Sequence, residues 1–130
     1  MPAPTSGRRD ARPRYLNLLQ IRLPVTAVAS ILHRFSGLLL VLLTPVLIYL
    51  LDLSLNDPHR FRVLAGILAG PAARVLLLVA AWALAYHLLA GLRFLGLDVG
   101  LGEPRLTARR TAWASLGLGV LLALLVGAGL

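Results

Sequence analysis

The chain contains no cysteine and no lysine, and only five acidic residues among 130. Without cysteine it can form neither a disulfide nor a Cys-ligated iron–sulfur cluster, so any such cluster belongs to a partner. Charged residues make up 14% of the sequence, against roughly 25% in an average globular protein, too few to cover a soluble core of this size. The chain has no G-x-S-x-G, no phosphate-binding glycine loop, no H-E-x-x-H and no pair of intramembrane carboxylates. It therefore offers no template for the common hydrolase, nucleotide-binding or zinc-protease chemistries. No internal repeat of 20–50 residues is evident.

What is present is apolar. Hydrophobic residues make up 58% of the sequence, dominated by Leu, Ala and Val, a composition that excludes a disordered or nucleic-acid-binding tail. The expected class is an all-α integral membrane protein, one domain over residues 1–130. The net charge of +8 comes from thirteen arginines, and their positions divide the chain. Six lie in the first 34 residues: Arg8, Arg9, Arg12, Arg14, Arg22 and Arg34. Phe35 to Leu51 is free of charge for 17 residues, 75–92 for 18, and the stretch after Arg110 for 20. Three windows near the spanning length of about 20 residues predict three transmembrane helices.

Their expected bounds are about 27–53, 71–95 and 111–130, after a segment 1–25. Thr26 is the expected N-cap of the first helix, Gly70-Pro71 opens the second, and the third opens near Trp113 in the headgroup belt. Pro45 falls inside the first helix, which a membrane helix tolerates. The N-terminal segment holds six Arg and the region 93–110 four, against three in the first loop region, Arg60, Arg62 and Arg74. This bias predicts a cytoplasmic N-terminus and an external C-terminus. Arg8-Arg9 is followed by polar residues, Arg12, Pro13 and Arg14 rather than an apolar h-region, so a cleavable export signal is not expected.

Ionisable groups inside a span are functional candidates, because their desolvation must be offset by a partner, a cavity or a cofactor. Ser30, His33 and Arg34 lie together at the start of the first helix, with Ser30 and Arg34 four apart on one face. They read either as a compact set of donors or as an Arg that snorkels to lipid phosphate beside a capping His. His87 is well inside the second helix, six residues or about 9 Å from Arg93. Ala83, Ala90 and Gly91 stand beside it and would clear a flat area for a planar macrocycle, or serve helix packing around a hydrogen-bonded His. Asp98, three turns further along that face, would pair Arg93 or take part in proton delivery. His59 is expected to be solvated in a loop. Three His cannot supply four axial ligands, so a self-contained two-haem protein is excluded. Ser115, Gly117, Gly119 and Gly127 suit close packing of the third helix.

Two segments carry a specific resemblance. R-P-R-Y-L-N-L-L-Q-I-R-L-P-V-T-A-V-A-S-I-L-H-R-F-S-G at 12–37 resembles the N-terminal signature of the succinate dehydrogenase cytochrome b556 family, the larger membrane anchors of respiratory complex II. H-L-L-A-G-L-R-F-L-G-L-D at 87–98 is similar to that family's second signature. The resemblance implies three helices packed with a second anchor subunit into a haem-binding bundle in a bacterial-type inner membrane. The complex would be a succinate:quinone oxidoreductase, with this chain not an enzyme alone. His87 matches one axial ligand to a single haem b, the other ligand coming from the smaller anchor. Ser30 and Arg34 match residues that bind the quinone head group, Asp98 an acid near that site, and His33 a neighbour of the haem propionates. Arg93 would be a second propionate partner. The implied partners are the flavoprotein, the iron–sulfur subunit, the second anchor and lipid, with no nucleic acid. The family often has His directly after the Arg of its second signature; here that residue is Phe94. The alternative is a haem-free three-helix structural or assembly subunit of another membrane complex.

Overall fold

A computed structural model describes residues 22–129. They form four helices, α1 (Val25–Asn56), α2 (Pro58–Leu68), α3 (Pro71–Asp98) and α4 (Arg105–Ala128), with no strand among the described residues. Three of these, α1, α3 and α4, are long and apolar enough to cross a membrane. Lipid offers no hydrogen bonds, so an apolar chain must satisfy its backbone internally, as helices do. The three have 32, 28 and 24 residues, about 48, 42 and 36 Å at 1.5 Å per residue. The hydrocarbon layer is about 30 Å thick, so each helix has turns to spare at its ends. Arg8, Arg9, Arg12, Arg14 and most of the segment 1–25 lie outside the described residues.

The helix ends differ from the sequence expectation: α1 runs on to Asn56 and α3 to Asp98, past the expected 53 and 95, and the starts of α1 and α4 differ as well. At the start of α1 the N-cap is Pro24, whose carbonyl accepts from the N–H groups of Ala27 and Val28; Thr26 is inside the first turn. Proline's fixed φ prepares that cap without a side-chain bond. Residues 58–68, expected as loop, form α2. Asp57 caps it, its carboxylate accepting the His59 N–H at 2.8 Å, and Pro58 occupies a first-turn position with no N–H to leave unpaired. His59 is exposed, on a helix rather than in a loop. Helix α4 begins at Arg105, two turns before Trp113. Gly100 and Gly102, with φ of 83° and 85°, turn the chain between α3 and α4, a backbone that residues with a Cβ avoid. Helix α3 opens at Gly70, with Pro71 in its first turn.

Helix α3 packs against both α1 and α4. From Thr111 through Gly119 to Gly127 on α4, the partners on α3 run backwards from Arg93 through Tyr86 to Leu78, the order of an antiparallel pair. On α1, Gly37 meets His87 and His33 meets Gly91, again antiparallel. Nearly all fully buried residues are small: Ala29, Ser36, Ala83, Ala90 and Ala112, with Tyr86 the one bulky exception. In lipid, burial of apolar surface does not drive helices together, so small residues that permit close approach do. A Cβ on Gly119 would stand 3.0 Å from Tyr86 Cβ, and one on Gly127 2.5 Å from Leu78 Cδ1. Ser115 is buried in the same seam. Gly117 is not part of it; a Cβ there would meet open space.

Candidate functional site

The face of α1 toward α3 carries Ala29, His33, Ser36 and Gly37, the i, i+4, i+7, i+8 row of one helical stripe. Tyr86 and His87 approach it from α3. The imidazoles of His33 and His87 stack, with centroids 4.1 Å apart and planes 11° from parallel. His87 Nδ1 lies 3.1 Å from the His33 carbonyl oxygen and 3.1 Å from Ser36 Oγ. The Ser36 hydroxyl donates to the same carbonyl at 2.9 Å.

This triangle fixes the tautomer by accounting for protons. A carbonyl only accepts, and the serine's single proton is directed to it. An unprotonated Nδ1 would point its lone pair at the carbonyl oxygen. The arrangement is satisfied when Nδ1 carries the proton and donates, which leaves the lone pair of His87 on Nε2. That nitrogen has no hydrogen-bond partner among the described residues. The contact that shapes the space beside His87 comes from α1: a Cβ on Gly37 would lie 2.8 Å from His87 Cε1. Of the two readings the sequence allowed for Ala83, Ala90 and Gly91, a flat area or helix packing, the burial of Ala83 and Ala90 fits packing, and a Cβ on Gly91 would meet His33 Nε2 at 3.5 Å.

Tyr86 donates its hydroxyl to the Ala29 carbonyl at 2.8 Å and stacks on Trp82, centroids 5.6 Å apart. The carbonyls of Ala29 and His33, one turn apart on α1, therefore accept from successive residues of α3.

Ser30 is half-buried and Arg34 exposed, one turn apart. At about 100° per residue, Ser30 lies at the edge of the α3-facing row, beside Gly37, and Arg34 about a third of a turn from its centre.

Arg93 turns toward α4. Its Nε donates to Thr111 Oγ1 at 3.0 Å and its Nη2 to the Ala108 carbonyl at 3.1 Å, while Thr111 Oγ1 donates to that carbonyl at 3.2 Å. Its Nη1 is buried without a partner among the described residues. Arg93 thus does not pair with Asp98, which is exposed at the end of α3. Phe94 stands between two of the candidates: its ring is 5.1 Å from Arg93 Cζ and 5.2 Å from the His33 ring. An aromatic spacer occupies the position where the resembling family often has His.

Ser36, Gly37, Tyr86 and Thr111 belong to this site and had not been singled out as site residues. Ser36 has a sequence signal, a hydroxyl three residues from His33 on an otherwise apolar stripe. The other three depend on inter-helix register.

A family model described as the succinate dehydrogenase/fumarate reductase transmembrane subunit matches residues 8–126. The succinate dehydrogenase cytochrome b556 subunit of Paracoccus denitrificans is 33% identical over 117 residues, 90% of each chain. The protein of the same name from Coxiella burnetii is 31% identical over 120 residues, 89% of this chain and 94% of its own. That of Rickettsia typhi is 27% identical over 117 residues, 90% of this chain and 91% of its own. With three membrane-capable helices and bacterial relatives of this kind, the chain is a multi-pass protein of the bacterial inner membrane. It belongs to the succinate dehydrogenase/fumarate reductase transmembrane subunit family.

Proposed function

We propose that this chain is the membrane-anchor cytochrome b subunit of a succinate:quinone oxidoreductase, not catalytic alone. In this reading residues 1–130 are one anchor domain with the segment 1–25 assigned to the cytoplasmic side, which the arginine bias supports. The observation that carries this reading is the state of His87. Its Nδ1 is held by a carbonyl and a buried hydroxyl, and its Nε2 is left with a lone pair and no partner among the described residues. This is the donor state an axial imidazole needs.

The surrounding residues fit a haem b. Gly37 lets the His87 ring pack directly onto α1, since a Cβ there would stand 2.8 Å from its Cε1. Arg93 Nη1 is a buried, fixed donor suited to a carboxylate such as a propionate, and His33, stacked on His87, is a second polar group. By the family resemblance, the second axial ligand comes from a second small anchor subunit. Haem b, when bound, supplies a one-electron redox centre.

Succinate oxidation on partner-bound flavin and iron–sulfur centres delivers two electrons to a quinone, which takes up two protons to become quinol. Ser30 and Arg34 donate hydrogen bonds to a quinone oxygen as negative charge develops on it, as donors do in an oxyanion hole. Asp98, solvent-exposed at the end of α3, is the candidate for bringing protons to that edge. The test is purification from native membranes. A flavoprotein, an iron–sulfur protein and a second small anchor should copurify with a reduced b-type spectrum, and His87→Leu should abolish or strongly perturb that spectrum. A colourless complex, or a His87→Leu complex with the parent spectrum, refutes the reading.

A further inference from the structure

We infer that Ser36 is a positioning residue for the imidazole of His87 and, through it, sets the reduction potential of the haem iron; the inference rests on His87 being the ligand proposed above. Ser36 is fully buried within α1, yet its hydroxyl does more than satisfy itself. A serine in an apolar helix ordinarily closes its donor onto the carbonyl three or four residues back. Ser115 does this with Ala112 at 2.9 Å and Ser54 with Leu51 at 2.7 Å. Ser36 makes the same bond to His33, and in addition its oxygen lies 3.1 Å from His87 Nδ1 on the facing helix. Its proton is committed to the carbonyl, so a lone pair faces the Nδ1–H.

The imidazole therefore donates to two acceptors at once, the Ser36 hydroxyl and the His33 carbonyl. Acceptors on Nδ1–H shift electron density toward Nε2 and make it a stronger donor to iron. A stronger axial donor favours the ferric state and lowers the potential, one of the protein's levers on a haem. The triangle also holds the ring plane, because both acceptors lie on α1 while the ring is carried by α3. Removing the hydroxyl should leave the ligand in place and change how strongly it donates.

The experiment is a redox titration of the haem in the purified complex carrying Ser36→Ala, Ser36→Thr or, as a buried-serine control, Ser115→Ala. Low-temperature EPR of the ferric haem and haem content per flavin accompany it. The expected result is a potential raised in Ser36→Ala with shifted g-values and haem content within twofold of the parent. Ser36→Thr, which keeps the hydroxyl, returns both toward the parent, and Ser115→Ala leaves both unchanged. A Ser36→Ala complex with haem bound at the parent potential or below overturns the inference while leaving His87 as ligand. Haem loss in Ser36→Ala that Ser36→Thr restores supports it; loss in both marks a packing residue and overturns it. A parent-like spectrum in His87→Leu removes the ligand, and the inference with it.

Discussion

Helix α3 has two neighbours and meets them by different means. Toward α4 the contact is steric along most of its length, Tyr86 against Gly119 and Leu78 against Gly127 with Ala112, Ser115 and Ala123 buried nearby, and hydrogen bonds join it only at the Arg93 end, to Thr111 and the Ala108 carbonyl. Toward α1 the contact is polar: the Ala29 carbonyl receives Tyr86, and the His33 carbonyl receives His87 and Ser36. The steric seam sets how close the helices come. The polar seam sets which way a ring faces and which of its nitrogens carries the proton. A site that presents one nitrogen to a metal needs both, and here one helix carries both, with Tyr86 touching each.

The comparison can be broken at its steric side first. In Gly119→Ala the new Cβ would meet Tyr86 Cβ at 3.0 Å and, more seriously, its Cα at 3.1 Å. Backbone cannot swing aside, so overpacking should cost about 1–3 kcal/mol, read as lowered thermal stability of the detergent-purified complex. The haem spectrum of the folded fraction should keep its parent form, and an altered spectrum at unchanged stability would contradict the division of labour.

Gly37→Ala should give the reverse pattern. The nominal approach is closer, 2.8 Å, but the atom met is His87 Cε1, at the end of a side chain that can turn. Stability should fall less than in Gly119→Ala, while the haem absorption and occupancy should change more. Gly91→Ala sharpens the point, since its Cβ meets His33 Nε2 at an ordinary 3.5 Å and alanine favours helix by up to about 1 kcal/mol. An unchanged spectrum and a stability equal to or slightly above the parent's are expected there. The smallest loss is expected for Tyr86→Phe, which deletes one interhelical hydrogen bond and little volume. Such bonds in membranes average about 0.6 kcal/mol, so thermal unfolding should shift slightly, and a large loss would mean the hydroxyl does more than tie α3 to α1.

The parts of this arrangement legible in the sequence are those that lipid enforces. Three charge-free windows of about 20 residues predict three long apolar helices because a single span of that length satisfies its own backbone in lipid only as a helix. His33 and His87 stand out because an imidazole in a span needs a reason. Helix α2 was missed, since residues 58–68 carry a His and two Arg and lack the length of a span. Its signal is local, Asp57-Pro58 as a cap followed by a first-turn proline. Gly37 and Ser36 act through residues 50 and 51 positions away, and Arg93 takes its direction from a carbonyl on α4. Those roles follow from helix register, which periodicity along a single chain does not encode.

Tyr86 carries one more consequence. It is the only large side chain fully enclosed among the described residues, and it touches all three long helices: its own, Ala29 on α1 and Gly119 on α4. Helices in a bilayer tilt and slide to suit the local thickness of the lipid. Tyr86 ties the three helices together at one level, and the next residue in the chain is His87. The height of that imidazole relative to Ser30 and Arg34 is accordingly set by contacts within the protein rather than by the lipid around it.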